Sequence, residues 1–387
     1  MDTTALKDSW QAVTKSGDEV PLFFYSHLFL SHPELRSMFP VSMSNQRDKL
    51  VGALGTIVSN VDQIDEVTGF IGQLGSDHRR FDVEPEHYNA VGASLLATLR
   101  HFLGSAWTDE LAADWAQAYG LIAKVMVQGA EESARHAPSW WNAEVVKVDR
   151  RTLDVAVIQI RPSERFDFKP GQSIAIELPH RPRLWRYYSP ANAPRDDGTL
   201  ELHAQIVDGG QVSGAMVKDL KSGDTVKFGA PVGQALTVDD DPEGLLLVAG
   251  GTGLAPLRAV VDQASQQWRS TGRGPKVHLF HGARMPWNLY DHDALKALTT
   301  EHWFEYDTAV SDDPTYPGTR GNIGRIAASR GDWSGYRALV CGSPAMVDDA
   351  VSQLRAAGMP PERISYENFG DSGYQPSYDL VRTSDPA

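Results

Sequence analysis

Cysteine is almost missing from this chain: Cys341 is the only one in 387 residues, so an intrachain disulfide and a thiolate cluster are both excluded. That scarcity suits a reducing compartment. No run approaches the roughly 18 apolar residues that a membrane span needs. The opening Met1-Asp2-Thr3-Thr4-Ala5-Leu6-Lys7 has neither the basic start nor the apolar stretch of a secretory signal. Positive charge is short as well: 36 Lys and Arg stand against 50 Asp and Glu, and the formal −14 disfavours nucleic acid and anionic membrane as partners. The expectation is a cytoplasmic monomer whose partners are small molecules.

What is present is ordinary for a soluble protein, 41% apolar and 22% charged, and the length suggests two or three domains. Up to His136 apolar residues recur at helical spacing. Leu22, Phe23, Leu28 and Phe29 mark one helix, with Pro21 in its first turn and Pro33 beyond its end. Another is expected to start near Glu84-Pro85 and run through Val91, Leu95, Leu96 and Leu99 to Gly104. A third is capped by Thr108, with Asp109 and Glu110 in its first turn and Leu111, Trp115, Ile122 and Val125 on its apolar face.

The pattern then turns to alternation. Val146, Val148, Val155, Val157, Ile174 and Ile176 punctuate short segments broken by Pro170-Gly171 and Asp197-Gly198, as in an antiparallel barrel or sandwich. Beyond Asp241 come continuous apolar runs, Leu245 to Val248, Val277 to Phe280 and Ala338 to Val340, alternating with helical stretches as in a parallel α/β sheet. The domains expected are residues 1–136, 137–238 and 239–370, followed by a polar, flexible tail over 371–387.

A haem that holds a diatomic gas needs an imidazole on one iron face, hydrogen-bond donors on the other and an apolar wall around them. His78 closes a helical stretch with Ile71 and Leu74 and precedes the break Phe81-Asp82-Val83, which makes it the candidate ligand. Tyr88 is the candidate partner for the imidazole's other nitrogen. Five other histidines, His27, His32, His87, His101 and His136, lie in the same stretch, so position by itself does not choose.

The surrounding residues do. Phe23-Phe24-Tyr25-Ser26-His27-Leu28-Phe29, Pro33-Glu34-Leu35, Met38-Phe39, Met43-Ser44-Asn45-Gln46-Arg47 and Pro85-Glu86-His87-Tyr88-Asn89 resemble, in order and spacing, the globin half of the flavohaemoglobins. That resemblance implies haem b ligated by His78, with Tyr25 and Gln46 as distal donors toward bound gas. It also implies Phe39 against the porphyrin and Leu50 shaping the gas pocket. A phenol and an amide are suited to the partial negative charge that dioxygen takes on there.

Haem takes electrons singly and a nicotinamide gives two, so a flavin is the natural intermediary. Arg186-Tyr187-Tyr188-Ser189 resembles the Arg-x-Tyr-Ser motif of ferredoxin-reductase-like proteins, after a Pro170-Gly171-Gln172 turn similar to theirs. The resemblance implies FAD, with Tyr188 along the isoalloxazine, Ser189 at its N5 edge and Arg186 on the pyrophosphate. Gly209-Gly210-Gln211-Val212-Ser213 reads as a glycine turn opening a short helix, whose backbone N–H groups can meet a phosphate. Gly250-Gly251-Thr252-Gly253-Leu254-Ala255-Pro256 follows a buried strand and opens a helix, as a nucleotide loop must. It lacks both the Walker lysine and the usual Gly-x-Gly-x-x-Gly, and is similar to the NAD(P)H loop of the same reductases. Cys341-Gly342 and Tyr366-Glu367-Asn368-Phe369 resemble their nicotinamide-side motifs, Phe369 covering the flavin.

Taken together these residues resemble a flavohaemoglobin over nearly the whole chain, which implies an NAD(P)H-dependent nitric oxide dioxygenase acting on O2 and NO. The chain departs from the family at two places. Asp77 stands where the family has a lysine facing the acid at Glu367, and Ala130 stands where it has a glutamate that pulls on the proximal imidazole, with Glu131 adjacent. These departures keep two alternatives in view: a haem–flavin oxidoreductase for a hydroxy acid, quinone or peroxide, and an oxygen- or redox-sensing haem protein. Arg284 is a candidate contact for the 2′-phosphate of NADPH, and the choice between NADH and NADPH stays open.

Overall fold

Prolines, glycines and a few caps cut the first third of the chain into helices. A computed structural model describes residues 1–239 and 242–369, less the side chains of Asn45, Ile64, Asp65 and Glu66. The tail expected over 371–387, and Gly370, lie outside the described residues. Among the described residues the N-terminal unit holds α1 (Thr3–Thr14), α2 (Glu19–Ser31), α3 (Ser44–Ser59), α4 (Ile64–His78), α5 (His87–Leu103) and α6 (Asp109–His136). Asp2 caps α1 by accepting from the Thr4 and Ala5 N–H groups, and Thr108 caps α6 by accepting from Leu111 N–H. Gly104, at φ +53°, ends α5.

Two local expectations shift. The helix expected from Glu84 begins at His87, because Pro85 and Glu86 form the turn ahead of it. Leu22 is 48% exposed, and α2 buries Val20, Pro21, Phe24, Tyr25 and Leu28 instead. The core between the helices gathers Leu6, Val13, Leu28, Leu99 and Trp115. Where α4 crosses α6, a Cβ on Gly75 would fall 1.9 Å from the Met126 carbonyl oxygen, and one on Gly129 2.2 Å from the Gly72 carbonyl oxygen. Only glycine tolerates that approach, so Gly75 and Gly129 seat the helix that ends in His78.

The second unit begins at Trp141 and holds two sheets. The first comprises β1 (Trp141–Arg150), β2 (Val155–Pro162), β3 (Ser173–Leu178), β4 (Arg181–Tyr188), β5 (Leu200–Gln205) and β6 (Thr225–Val232), with helix α7 (Gln211–Lys218) after β5. Its order is β4-β3-β6-β1-β2-β5, every pairing antiparallel. Pro190 bridges back to Leu202 of β5, and Ala191 N–H donates to Glu201 at 2.7 Å, so the two edges meet and the sheet closes as a barrel. The register of β1 slips between Val145 and Lys147. That bulge puts Val145, rather than the expected Val146, on the buried face.

The second sheet comprises β7 (Gly244–Gly250), β8 (Lys276–Ala283), β9 (Phe304–Val310), β10 (Tyr336–Gly342) and β11 (Ile364–Asn368), all parallel, in the order β11-β10-β7-β8-β9. The intervening helices are α8 (Leu254–Thr271), α9 (His292–Leu298), α10 (Ile323–Arg330) and α11 (Pro344–Ala356). Strand order reverses at β7, so the crevice for a ligand opens at the carboxyl ends of β7 and β10. The barrel and this sheet share one apolar core, in which Val155 and Val157 of β2 pack with Leu245, Leu247, Leu254 and Leu257. Among the described residues no helix is long and apolar enough to cross a membrane.

Candidate haem, flavin and nicotinamide sites

Helix α4 ends on His78, and a helix end leaves carbonyls without intrahelical donors. His78 Nδ1 lies 2.6 Å from the Leu74 carbonyl oxygen one turn back. Because a carbonyl can only accept, Nδ1 carries the proton and the Nε2 lone pair faces outward, as a metal ligand requires. Among the described residues no group bonds Nε2. Burial, the largest influence, holds the imidazole's pKa below its usual value, which favours the neutral ligand form. This geometry corrects the role expected of Tyr88. The nitrogen assigned to it is taken by Leu74, because the i−4 carbonyl is already in place, while the Tyr88 main-chain carbonyl accepts from the Tyr119 hydroxyl at 2.6 Å. Burial raises the Tyr88 phenol to about 12.

Asp77 is bound within its own helix end. Arg80, itself 8% exposed, pairs with its carboxylate, and the Gln73 amide donates to the same oxygen at 3.3 Å. On the α6 side, hydroxyls close the contact. Ser76 Oγ donates to Ser133 Oγ at 2.8 Å, and Arg79 donates to Ser133 Oγ and to the Ala137 carbonyl, each at 2.8 Å.

Tyr25 is 6% exposed on α2, its ring edge-on to Phe39 at 5.7 Å and stacked with Phe29 at 5.8 Å. Its hydroxyl donates to the main-chain carbonyl of Gln46, a long bond of 3.3 Å. Burial pushes the phenol's pKa up and a hydrogen bond with Gln46 offsets part of that, so the group stays a neutral donor. Tyr25, Gln46 and Phe39 are therefore neighbours, as expected, but the phenol and Gln46 already face each other. A cavity of about 440 Å³ opens beside Tyr25, lined also by Phe29, Met43, Arg36 and Arg47. Leu50 borders an apolar void of about 10 Å³ with Phe24, Leu54 and Leu95. The donor set fits haem: one neutral imidazole with an open nitrogen, a phenol donor and an aromatic wall.

On the barrel, β4 pairs Arg186 with Ile176 and Tyr188 with Ile174, so the two side chains project from one face two residues apart. Burial raises the Tyr188 pKa, and the nearby Arg186 charge offsets part of it. Arg186 donates to the Trp185 carbonyl at 2.9 Å. Ser189 is 3% exposed, its hydroxyl 2.8 Å from that of Ser173, a partner no motif signalled. Gly210 caps α7 with Gly209 at φ +74° before it, which leaves the N–H groups of Gln211, Val212 and Ser213 as first-turn donors suited to a phosphate. The Ser213 side chain is already used, accepting from Val207 N–H at 3.2 Å and donating to the Gly210 carbonyl at 3.4 Å.

The nicotinamide-side motifs converge at the crevice between β7 and β10. Gly253 lies so close to β10 that an added Cβ would sit 2.3 Å from the Cys341 carbonyl oxygen. A Cβ on Gly342 would meet Met346 Sδ at 2.9 Å and Gly250 Cα at 3.2 Å. Pro256 stands in the first turn of α8 without loss, since no intrahelical donor is needed there. Thr252 sits with these glycines in the turn that joins β7 to α8. Cys341 is paired with Glu367 across β10 and β11, both buried, and burial followed by the Glu367 charge pushes the thiol's pKa well up. Phe369 N–H donates to the Gly342 carbonyl at 2.9 Å. Arg284 is 85% exposed and donates to Asp312 at 3.0 Å.

Sequence reasoning missed Leu74, Arg80, Ser173 and Met346. Leu74 had a signal in its helical spacing from His78; the other three had none.

Comparisons with known proteins match three stretches of the chain. Residues 22–126 match the globin family, 142–236 the oxidoreductase FAD-binding domain and 247–352 the oxidoreductase NAD-binding domain. The chain is 24% identical to the flavohemoprotein of Halalkalibacterium halodurans, covering 96% of this chain and 99% of that protein. In fold it is similar to a flavohemoglobin of Malassezia yamatoensis solved with bound FAD and heme, at a TM-score of 0.72 and 19% identity, over 95% of this chain and 99% of that one. It is also similar to the FAD/NAD-binding domain of a nitric oxide dioxygenase from Vibrio cholerae, at a TM-score of 0.53 and 21% identity, over 59% of this chain and 98% of that one.

Proposed function

The chain belongs to the flavohaemoglobin family, with haem, FAD and a nicotinamide dinucleotide as its cofactors, and from that premise we propose that it is an NAD(P)H-dependent nitric oxide dioxygenase. Two nitric oxides and two dioxygens become two nitrates while one NAD(P)H gives up its electron pair. When bound, the nicotinamide supplies a hydride, the flavin divides the pair into single electrons and the haem holds the gas. The chain's own residues do the rest.

His78 anchors the haem through Nε2, and the Leu74 carbonyl fixes the ring's rotation. Tyr25 supports the reading most. It is a buried, neutral phenol whose present bond to Gln46 is long enough to yield to a better acceptor. Gln46 adds an amide donor, and Phe39 sets an aromatic ring edge-on beside Tyr25. On the barrel, Arg186 and the start of α7 offset the flavin's pyrophosphate charge, and Tyr188 and Ser189 fix its ring. The Gly250 to Gly253 loop receives the dinucleotide's pyrophosphate beside Cys341, Gly342 and Glu367, with Phe369 over the flavin.

Rapid mixing of the reduced, oxygenated protein with nitric oxide, with nitrate measured, tests the proposal. Stoichiometric nitrate within the mixing time supports it; nitrate no faster than from free haem overturns it. A second reading, a haem–flavin oxidoreductase for another donor or acceptor, is favoured by the neutral Leu74 acceptor in place of a carboxylate behind His78. Anaerobic reduction of the flavin by a hydroxy acid or a quinol, as fast as by NADH, would select it.

A further inference from the structure

The mechanism leaves unused a row of buried polar side chains behind the nucleotide loop. His281, on β8, is fully buried, and its Nε2 lies 3.2 Å from the carbonyl oxygen of Gly251. That oxygen also accepts from Leu254 N–H at the start of α8. An oxygen of this kind only accepts, so the ring donates from Nε2 and presents its Nδ1 lone pair to the Tyr306 hydroxyl, 3.4 Å away. Gly251 is held at φ +53°, where an ordinary side chain would be strained, so the direction of its peptide depends on what grips it. Edge-on to His281 at 6.1 Å is Tyr290, whose hydroxyl lies 2.8 Å from Nδ1 of His203 on β5, and His203 Nε2 lies 3.2 Å from Glu201. The row thus runs from a strand of the flavin barrel to the Gly251–Thr252 peptide of the nucleotide loop.

We propose that His281 is a positioning residue for the dinucleotide: by holding the Gly251 carbonyl it aims the N–H groups of the loop at the pyrophosphate, and Tyr290 with His203 ties that aim to the barrel. The inference rests on the reading that this loop receives NAD(P)H. A backbone donor array binds a phosphate well only when its peptides are already oriented, so the residue acts on affinity rather than on the reacting atoms. Burial lowers the imidazole's pKa to about 4, so the ring is neutral, with a single donor, near pH 7.

The test uses the full-length protein with both prosthetic groups and follows flavin bleaching after anaerobic mixing with NADH over a range of concentrations. His281→Leu removes the donor and is expected to raise the Kd for NADH about tenfold, the size of one net hydrogen bond, with the limiting rate within about twofold of wild type. His281→Gln keeps an N–H donor and recovers most of the affinity. Tyr290→Phe cuts the tie to His203, keeps the ring, and raises Kd about threefold even if the histidine variants fail to retain FAD. An unchanged Kd in His281→Leu or, should that fail to fold, in Tyr290→Phe overturns the proposal. A fall in limiting rate with unchanged Kd overturns it too. If wild type itself is not bleached by NADH or NADPH, it is the reading of the loop that fails, and not the placement of His281.

Discussion

His78 in the helical unit and His281 in the α/β sheet each meet a main-chain carbonyl, at 2.6 Å and 3.2 Å. In both, burial is the largest cause of a lowered pKa. The acceptor for His78 is its own helix, one turn back; for His281 it is a loop contributed by the neighbouring strand. The second nitrogen separates them. His78 keeps Nε2 for a ligand, whereas His281 spends Nδ1 on Tyr306 and has nothing left for a metal. A neutral imidazole is thus a ligand or a prop according to how many of its two nitrogens the fold has already engaged.

The largest expected effect breaks the pair apart. His78→Ala in the full chain should abolish the Soret band while the flavin spectrum and its bleaching by NADH persist. A retained Soret band would move the ligand role to another histidine, whereas the corresponding change at His281 should leave that band intact. Next comes the seat of α4. Gly75→Ala sets a Cβ against the Met126 carbonyl oxygen, so the backbones must part, and a loss of about 3 kcal/mol in the stability of the helical unit is expected from the melting transition.

A third expected effect sharpens the comparison through pH. The folded-state pKa of His281 is depressed to about 4 from its ordinary 6.5, so its contribution to stability is present above 6.5 and is lost as pH falls toward 4. Over that window the second unit should lose no more than about 3 kcal/mol, and His281→Gln should flatten the slope. Thermal melts at stepped pH check this, and an equal slope in both proteins would mean that the ring is already charged. The smallest effect is a control. Gly52→Ala, at an exposed position of α3 with nothing within 4 Å of an added Cβ, should stabilise by about 0.5–1 kcal/mol and leave both histidine readouts unchanged.

The helices and strands were legible wherever the signal is local. Thr108 capped its helix and Gly104 ended the one before it because both act within a turn of where they stand. The buried run Leu245 to Val248 became the central strand because such a run has to be covered on both faces. Val146 misled because a bulge shifts the alternation, and Pro85 misled because it closes a turn ahead of the helix. Tyr88 was the wrong partner for His78 because an intrahelical carbonyl already lay in reach.

By itself the sequence determined the order of a helical unit, an antiparallel sheet and a parallel sheet. It also marked the turns where Gly209-Gly210 and Gly250 to Gly253 open helices, since periodicity, caps and glycine turns depend on a few adjacent residues. Only the tertiary structure decided that Gly253 presses on Cys341, that Gly75 presses on Met126, and that His281 grips Gly251. The physical reason is strand order and register. Pairing Ala249 with His281 and Leu247 with Leu339 brings distant residues to one crevice, and no local rule carries that information.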